Sequence, residues 1–324
     1  MNIAEIIISV LLPIFFGYFL KLIKVFDNQD AITLRKFIVK ASVPFVIFKN
    51  LYLADVSVFS QIVPNLLAFI FVSVLYTLLS KQLSLLVSKN IKESRAFSIA
   101  TQFGNYGYLG WGIMFYFFGD GGFSRAVFFS MFFWPVFLIL GFLMIFLETK
   151  NNFSLNNFAL ALLKNATIPI LSAVLGLTFN IYKIQFHPVI KDFIFTFSSF
   201  TIPMILFSIG LDFNFKIDKK KLKIALISSF IRLIFGMVFA LLAVFIISRI
   251  FKIDELTFKV ILLETVMPTA TMSAFFSDFI DMDKELLAST LTLSTLLSLL
   301  TLPLWYYIIQ LNYINIKILP FFIR

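Results

Sequence analysis

The sequence has no cysteine and one histidine, His187. Without cysteine there is no disulfide, no thiolate metal site and no cysteine nucleophile. The chain also carries no His-Glu zinc motif and no serine–histidine pair, which sets aside the common hydrolases. Charge is scarce: 14% of residues are charged and 60% are hydrophobic, against about a quarter charged and half apolar in soluble domains. A soluble domain is excluded. No Gly-Lys-Ser/Thr phosphate loop is present either, so ATP does not drive whatever the chain does.

What is there comes in long apolar blocks, at about 3–23, 32–53, 62–80, 95–118, 122–147, 158–179, 187–212, 222–248, 257–280 and 285–310. Each reaches or approaches the ~20 residues that cross ~30 Å of hydrocarbon as a helix. The blocks predict an all-α membrane protein with ten transmembrane helices and only short loops. The first block is a membrane span and not a cleaved signal: Glu5 is its first charge, Lys21 and Lys24 follow it, and Pro13 and Gly17 lie inside it. We read the 45 phenylalanines as compositional bias.

The net charge of +10 would suit a nucleic-acid partner if it were clustered. Here the basic residues sit in loops, so they report orientation in lipid. Loops after odd-numbered spans hold sixteen Lys and Arg, including Lys219, Lys220 and Lys221; the other side holds nine. The basic side is the inner side, which puts both termini outside a cell membrane.

The chain repeats weakly, in order, at an offset of about 160 residues. Leu12-Pro13-Ile14 matches Ile168-Pro169-Ile170, and Ser42-Val43-Pro44 matches Thr201-Ile202-Pro203. Pro135 beside Trp134 answers Pro303 near Trp305, and Asn105 in span 4 answers Pro268 in span 9. A repeat of five spans, being odd, inserts its second copy upside down, as secondary transporters do. The halves are then residues 1–150 and 151–324.

The stretch FGNYGYLGWG, Phe103 to Gly112, places four glycines and an asparagine inside span 4. Asn105 and Pro268 both fall about halfway across their spans, some 15 Å deep. Irregular backbone survives there only if it is buried in protein or lines a polar cavity. The expectation is that helices 4 and 9 break and cross at the midplane, with glycines allowing close approach. Their second halves then aim two electropositive helix starts at one point, a site for a small anion. Gly104, Asn105, Tyr106, Gly107, Pro268, Thr269, Thr271 and Ser273 are its candidate residues. Arg232 in span 8 and Glu264 in span 9 lie at similar depths. They either form a permanent buried pair, or Glu264 couples transport to H⁺ or Na⁺.

At FGNYGYLG, TIPMILFSIGL (residues 201–211), VMPTA (266–270) and STLLSLLTLP (294–303) the chain resembles the auxin efflux carrier family. That family includes bacterial permeases for malate or malonate. The resemblance implies two inverted five-helix repeats in a fold related to the bile acid–sodium symporters. Helices 1, 2, 6 and 7 would form a scaffold, dimeric in many members, and helices 3–5 and 8–10 a moving transport group. By that likeness Asn105 is the leading ligand residue and Pro268 the breaker at the crossing. The expected function is a secondary active permease for a small organic anion, of the carboxylate class, working by elevator-type alternating access. The alternative is an anion channel or sensor of the same architecture. No cofactor or metal is called for, and neither nucleic acid nor an enzymatic activity is expected.

Overall fold

The computed structural model describes residues 3–149, 155–213 and 219–311, and among them the regular structure is helical. Lys150, Lys216, Lys317 and Arg324, which enter the charge count, lie outside the described residues, as does the expected boundary between the halves.

Helix α1 runs Ile3–Leu22. Asp27 then caps α2 (Asn28–Phe37) through a reciprocal bond with Asp30. A π-type turn, Ile38–Ser42, carries α2 into α3 (Val43–Leu53). Helix α4 follows at Ile62–Val87, and α5, capped by Asn90, at Ile91–Gln102. Helices α6 (Trp111–Ser130), α7 (Phe133–Thr149) and α8 (Leu155–Ile181) come next. Pro188, suited to a first turn, opens α9 (Pro188–Ser199), and α10 is Thr201–Asp212. Helices α11 (Leu222–Phe230) and α12 (Gly236–Ile247) flank a second π-type turn, Ile231–Phe235. Finally α13 is Glu255–Thr265 and α14 is Lys284–Gln310.

Among the described residues, five helical stretches are long and apolar enough to cross a membrane: Val58–Val87, Tyr106–Leu147, Pro188–Asp212, Leu222–Ile247 and Lys284–Gln310. Shorter apolar helices lie at Ile8–Leu22 and Thr167–Ile181. The stretch Tyr106–Leu147 has 42 residues, which as one rod would reach ~63 Å, twice the hydrocarbon core. It folds back instead. Gly119 takes φ 65, ψ −157 inside α6, and Trp111 Nε1 donates to Ser130 Oγ at 2.8 Å. On a straight helix those two residues would stand ~28 Å apart.

Glycine sets the closest helix contacts. Helix α1 packs on α10, and α3 on α8. A Cβ on Gly17 of α1 would overlap the carbonyl oxygen of Phe207 in α10. One on Gly176 of α8 would stand 2.8 Å from the carbonyl oxygen of Phe48 in α3. Between α3 and α10, the hydroxyls of Ser42 and Thr201 meet in a short hydrogen bond. Outward faces carry exposed Leu, Ile, Val and Phe, among them Leu12, Phe16 and Phe19 on α1 and Leu171 and Val174 on α8, as lipid requires.

At the helix ends the polar contacts are ionic. Arg125 bonds Asp254 at 2.5 Å, and Asp254 caps α13 by accepting from the Thr257 amide. Lys221 bridges Asp283 and Glu285 at 2.8 Å, and Asp283 caps α14 through the Leu286 amide. Burial alone would raise the Asp283 carboxyl. The Lys221 hydrogen bond, the Leu286 amide and the Lys221 charge together outweigh it and hold the carboxyl below the ordinary carboxylate range. A lowered folded value stabilises the protein above the unfolded value, near pH 4, and is lost as pH falls through the folded one. Asp283→Asn, which keeps the cap, is therefore expected to cost about 1 kcal/mol at neutral pH. In melting curves of the purified protein the gap to wild type should close below about pH 4. A gap that persists there would assign the loss to something other than charge.

Candidate functional site at a helix crossing

Helix α5 stops at Gln102 because Phe103 turns extended (φ −120, ψ 138). Asn105 (φ −80, ψ 57) also lies outside the helical region, and a π-type turn, Tyr106–Gly110, restarts the helix into α6. Helix α13 stops at Thr265, and a 3₁₀ stretch, Thr271–Asp278, follows. Between these ends the backbones pair antiparallel, Gly104 with Thr269. Asn105 N–H donates to Pro268 O at 2.8 Å, and Ala270 N–H donates to Phe103 O at 2.9 Å. Proline supplies no amide of its own, so its carbonyl is the half of Pro268 left to bond. Each interruption thus satisfies backbone groups of the other, away from water.

A cavity lies against this pairing. Gly104, Asn105, Tyr106 and Gly107 line it from one side, with Ala270 and Met272. It holds ≈ 80 Å³, against the ~10–15 Å³ that one water needs, so it has room for a small solute. Asn105 is buried, and its side chain makes no capping bond to the turn that follows. The wall is otherwise apolar and aromatic, with few polar groups, the usual make-up of a small-molecule site.

Most of the remaining wall comes from residues the sequence did not single out as a site: Val39, Val43 and Ile47 at α2–α3, Pro169 and Ala173 of α8, Trp111, Ser130 and Trp134. Ser130, a lone hydroxyl in a phenylalanine-rich run, was the one signal available. Thr269, Thr271 and Ser273, expected beside Asn105, do not line the cavity. Thr269 and Ser273 are fully buried behind it, and neither hydroxyl has a hydrogen-bond partner. Thr271 and Ser273 sit on the 3₁₀ restart, whose three-residue period aims side chains differently from an α-helix, and Thr269 is held in the backbone pairing with Gly104. Pro268 contributes its carbonyl to the pairing and no wall to the cavity. The amides of Asn105 and Ala270 are likewise spent across the crossing, which leaves fewer for an anion than two free α-helix starts would offer.

Arg232 and Glu264 do not form the pair considered from their depths. Both are fully buried. Arg232 donates from Nε and Nη2 to Met267 O at 3.1 and 2.8 Å, and from Nη2 to the Tyr106 hydroxyl at 3.3 Å. Its guanidinium stacks 3.9 Å from the centre of the Tyr76 ring. The end of α13 presents unpaired carbonyls, and they hold this cation. Neither oxygen of Glu264 has a hydrogen-bond partner, and the carboxylate lies where a Cβ on Gly110 would be.

A family model described as membrane transport protein matches residues 2–306. The chain belongs to that family. The resemblance to auxin efflux carriers read from FGNYGYLG and VMPTA holds with it, over nearly the whole chain. This transporter is 27% identical over 307 residues to an uncharacterized transporter of Methanothermobacter thermautotrophicus, covering 94% of this chain and 98% of that one. It is 26% identical over 316 residues to an uncharacterized transporter of Methanocaldococcus jannaschii, with the same two coverages. The chain is therefore a multi-pass membrane transporter and not an enzyme.

Proposed function

We propose that the chain is a secondary active transporter of a small organic anion, of the carboxylate class, which binds in the cavity beside Asn105. The observation that carries this reading is the antiparallel pairing of Gly104 with Thr269 against a cavity lined by Asn105. Interrupted helices that meet inside the membrane are where transporters hold their substrates. An asparagine amide offers two donors to a carboxylate, and the fixed charge of Arg232 lies directly behind Gly104 and Tyr106.

The inverted repeat is part of the proposal. Gly17 meets Phe207, and Gly176 meets Phe48. The second contact is the first with the two halves exchanged, at the same offset on both sides. Ser42 and Thr201, separated by that same offset of 159, touch each other, which supports a pseudo-two-fold axis passing between them. On this reading α1, α2–α3, α8 and α9–α10 form the scaffold, and the helices around the crossing move as an elevator with the bound anion. Both termini lie outside, and the scaffold offers a surface for a dimer.

Counterflow in reconstituted vesicles tests the function. Vesicles loaded with unlabelled malonate or lactate should accumulate the labelled acid, saturably. Losing hydrogen bonds to a charged ligand costs ~1.5–3 kcal/mol, so Asn105→Ala should weaken apparent affinity about 10- to 100-fold while melting stays near wild type. Flux that rises without saturation would describe a pore and end the carrier reading.

A further inference from the structure

Two glycines on either side of Asn105 each make room for a buried charged side chain. A Cβ on Gly104 would overlap Nη2 of Arg232; one on Gly110 would meet the carboxylate of Glu264. Neither charge is fully answered: Arg232 Nη1 and both Glu264 oxygens have no hydrogen-bond partner. Nor do the two form an ion pair, since the hydrogen bonds of Arg232 go to carbonyls and to Tyr106. A buried charge without a partner is costly, and an arginine does not give up its proton inside a protein. A carboxylate can take one up and give it back, so of the two only Glu264 can change its charge.

From this arrangement we infer that Arg232 is the fixed counter-charge of the transported anion, and that Glu264 is its exchangeable substitute, taking up one proton when a singly charged anion binds. The inference rests on the organic-anion reading above. In the empty site the guanidinium and the ionised Glu264 sum to zero. In the loaded site a proton from water has bonded to a Glu264 oxygen, and the anion supplies the negative charge; the sum is again zero. A site carrying the anion alone or the proton alone has net charge and crosses the low-dielectric interior at a penalty. The transporter therefore moves empty or with both, as a one-to-one symporter. By linkage the anion strengthens proton binding as much as the proton strengthens anion binding.

Other ionisable groups near Glu264 leave this balance intact. Helix α13 packs against α4, α6, α12, α14 and the turn after Asn105. Tyr76 of α4 donates to the Thr265 carbonyl, and Tyr106 of the turn receives Arg232. Of the charged residues of these elements, Lys81 on α4 and Lys284 and Glu285 on α14 sit toward helix ends, and Asp120 and Arg125 follow the fold-back at Gly119 within α6. Arg125 is bound to Asp254. On α13 itself Glu255 pairs with Lys259 at 2.8 Å. The remaining tyrosines of these elements are Tyr108 in the turn, Tyr116 on α6, and Tyr306 and Tyr307 on α14.

The test has two arms. First, infrared titration of the reconstituted protein between pH 5 and pH 9 should show a carboxylic-acid stretch that titrates in wild type and is missing in Glu264→Gln. Adding lactate at fixed pH should increase it. Second, in vesicles with the membrane potential clamped, an inward proton gradient should drive net uptake of labelled lactate, or of hydrogen malonate, the singly charged form. Glu264→Gln keeps a neutral loaded site but returns empty with a positive charge. It should lose proton-driven net uptake at least tenfold more than it loses exchange. Arg232→Gln should lose both, and Arg232→Lys, which keeps the charge, should recover exchange. The inference is overturned if no carboxyl band depends on Glu264, if Glu264→Gln keeps proton-driven net uptake, or if a Na⁺ gradient at constant pH drives uptake instead. A band that titrates in a protein exchanging neither acid would remove the organic-anion reading and leave the charge switch standing.

Discussion

Gly104→Val should abolish exchange, with a drop of at least 100-fold, and should lower stability by about 3–5 kcal/mol. The valine Cβ would overlap Nη2 of Arg232 and stand 2.8 Å from Cζ of Tyr106. Neither neighbour has anywhere to go. Arg232 is held by the Met267 carbonyl, and Tyr106 sits edge-on between Phe69 and Phe129. Pushing Arg232 away frees a carbonyl that water does not reach, which adds ~1–3 kcal/mol to the overpacking. Gly107→Ala provides the control, because a Cβ there meets the Trp111 ring at 3.7 Å, an ordinary contact. Its melting should match wild type. If Gly104→Val also melts like wild type and exchanges, the crossing is not the rigid element described here.

The second large effect is expected at Gly210. A Cβ there would overlap the carbonyl oxygen of Ile14 and lie 2.8 Å from the amide nitrogen of Tyr18. These are backbone atoms of α1, and no rotamer change relieves them. Gly210→Val must separate α1 from α10, and with them the bonds from Lys21 Nζ to Leu211 O and Phe213 O at 2.7 and 3.0 Å. Overpacking costs typically 1–3 kcal/mol, and loss of the Lys21 bonds adds to it. A melting transition well below that of wild type should follow, with little protein recovered as a single species. If melting and recovery stay unchanged, the close contact of α1 and α10 does not hold the molecule together.

The apolar blocks were legible because lipid imposes length, and the helices overlie them closely. Block 187–212 corresponds to Pro188–Asp212, where a proline fixes the start. Block 62–80 stops short, since α4 continues to Val87 through Ser80, Lys81 and Gln82. Those polar residues read as a loop, yet Lys and Gln are good helix formers once outside the hydrocarbon. Asn105 and its glycines stand out inside an apolar block, and α5 ends beside them at Gln102. The cavity's far wall was not. Val43, Ile47 and Ala173 face a cavity in a protein whose outer surface is equally apolar, so no contrast marks inside from outside. The separation of Arg232 from Glu264 was equally hidden, because depth along a helix does not tell which way a side chain turns. The π-type turns at Ile38–Ser42 and Ile231–Phe235 likewise left no trace in composition.

The fold-back at Gly119 bears on how the chain enters the bilayer during synthesis. Its two arms are joined by one non-helical residue and locked together by Trp111 and Ser130, with no hydrophilic segment to be threaded across between them. So short a connection favours entry of the two arms together, as a hairpin.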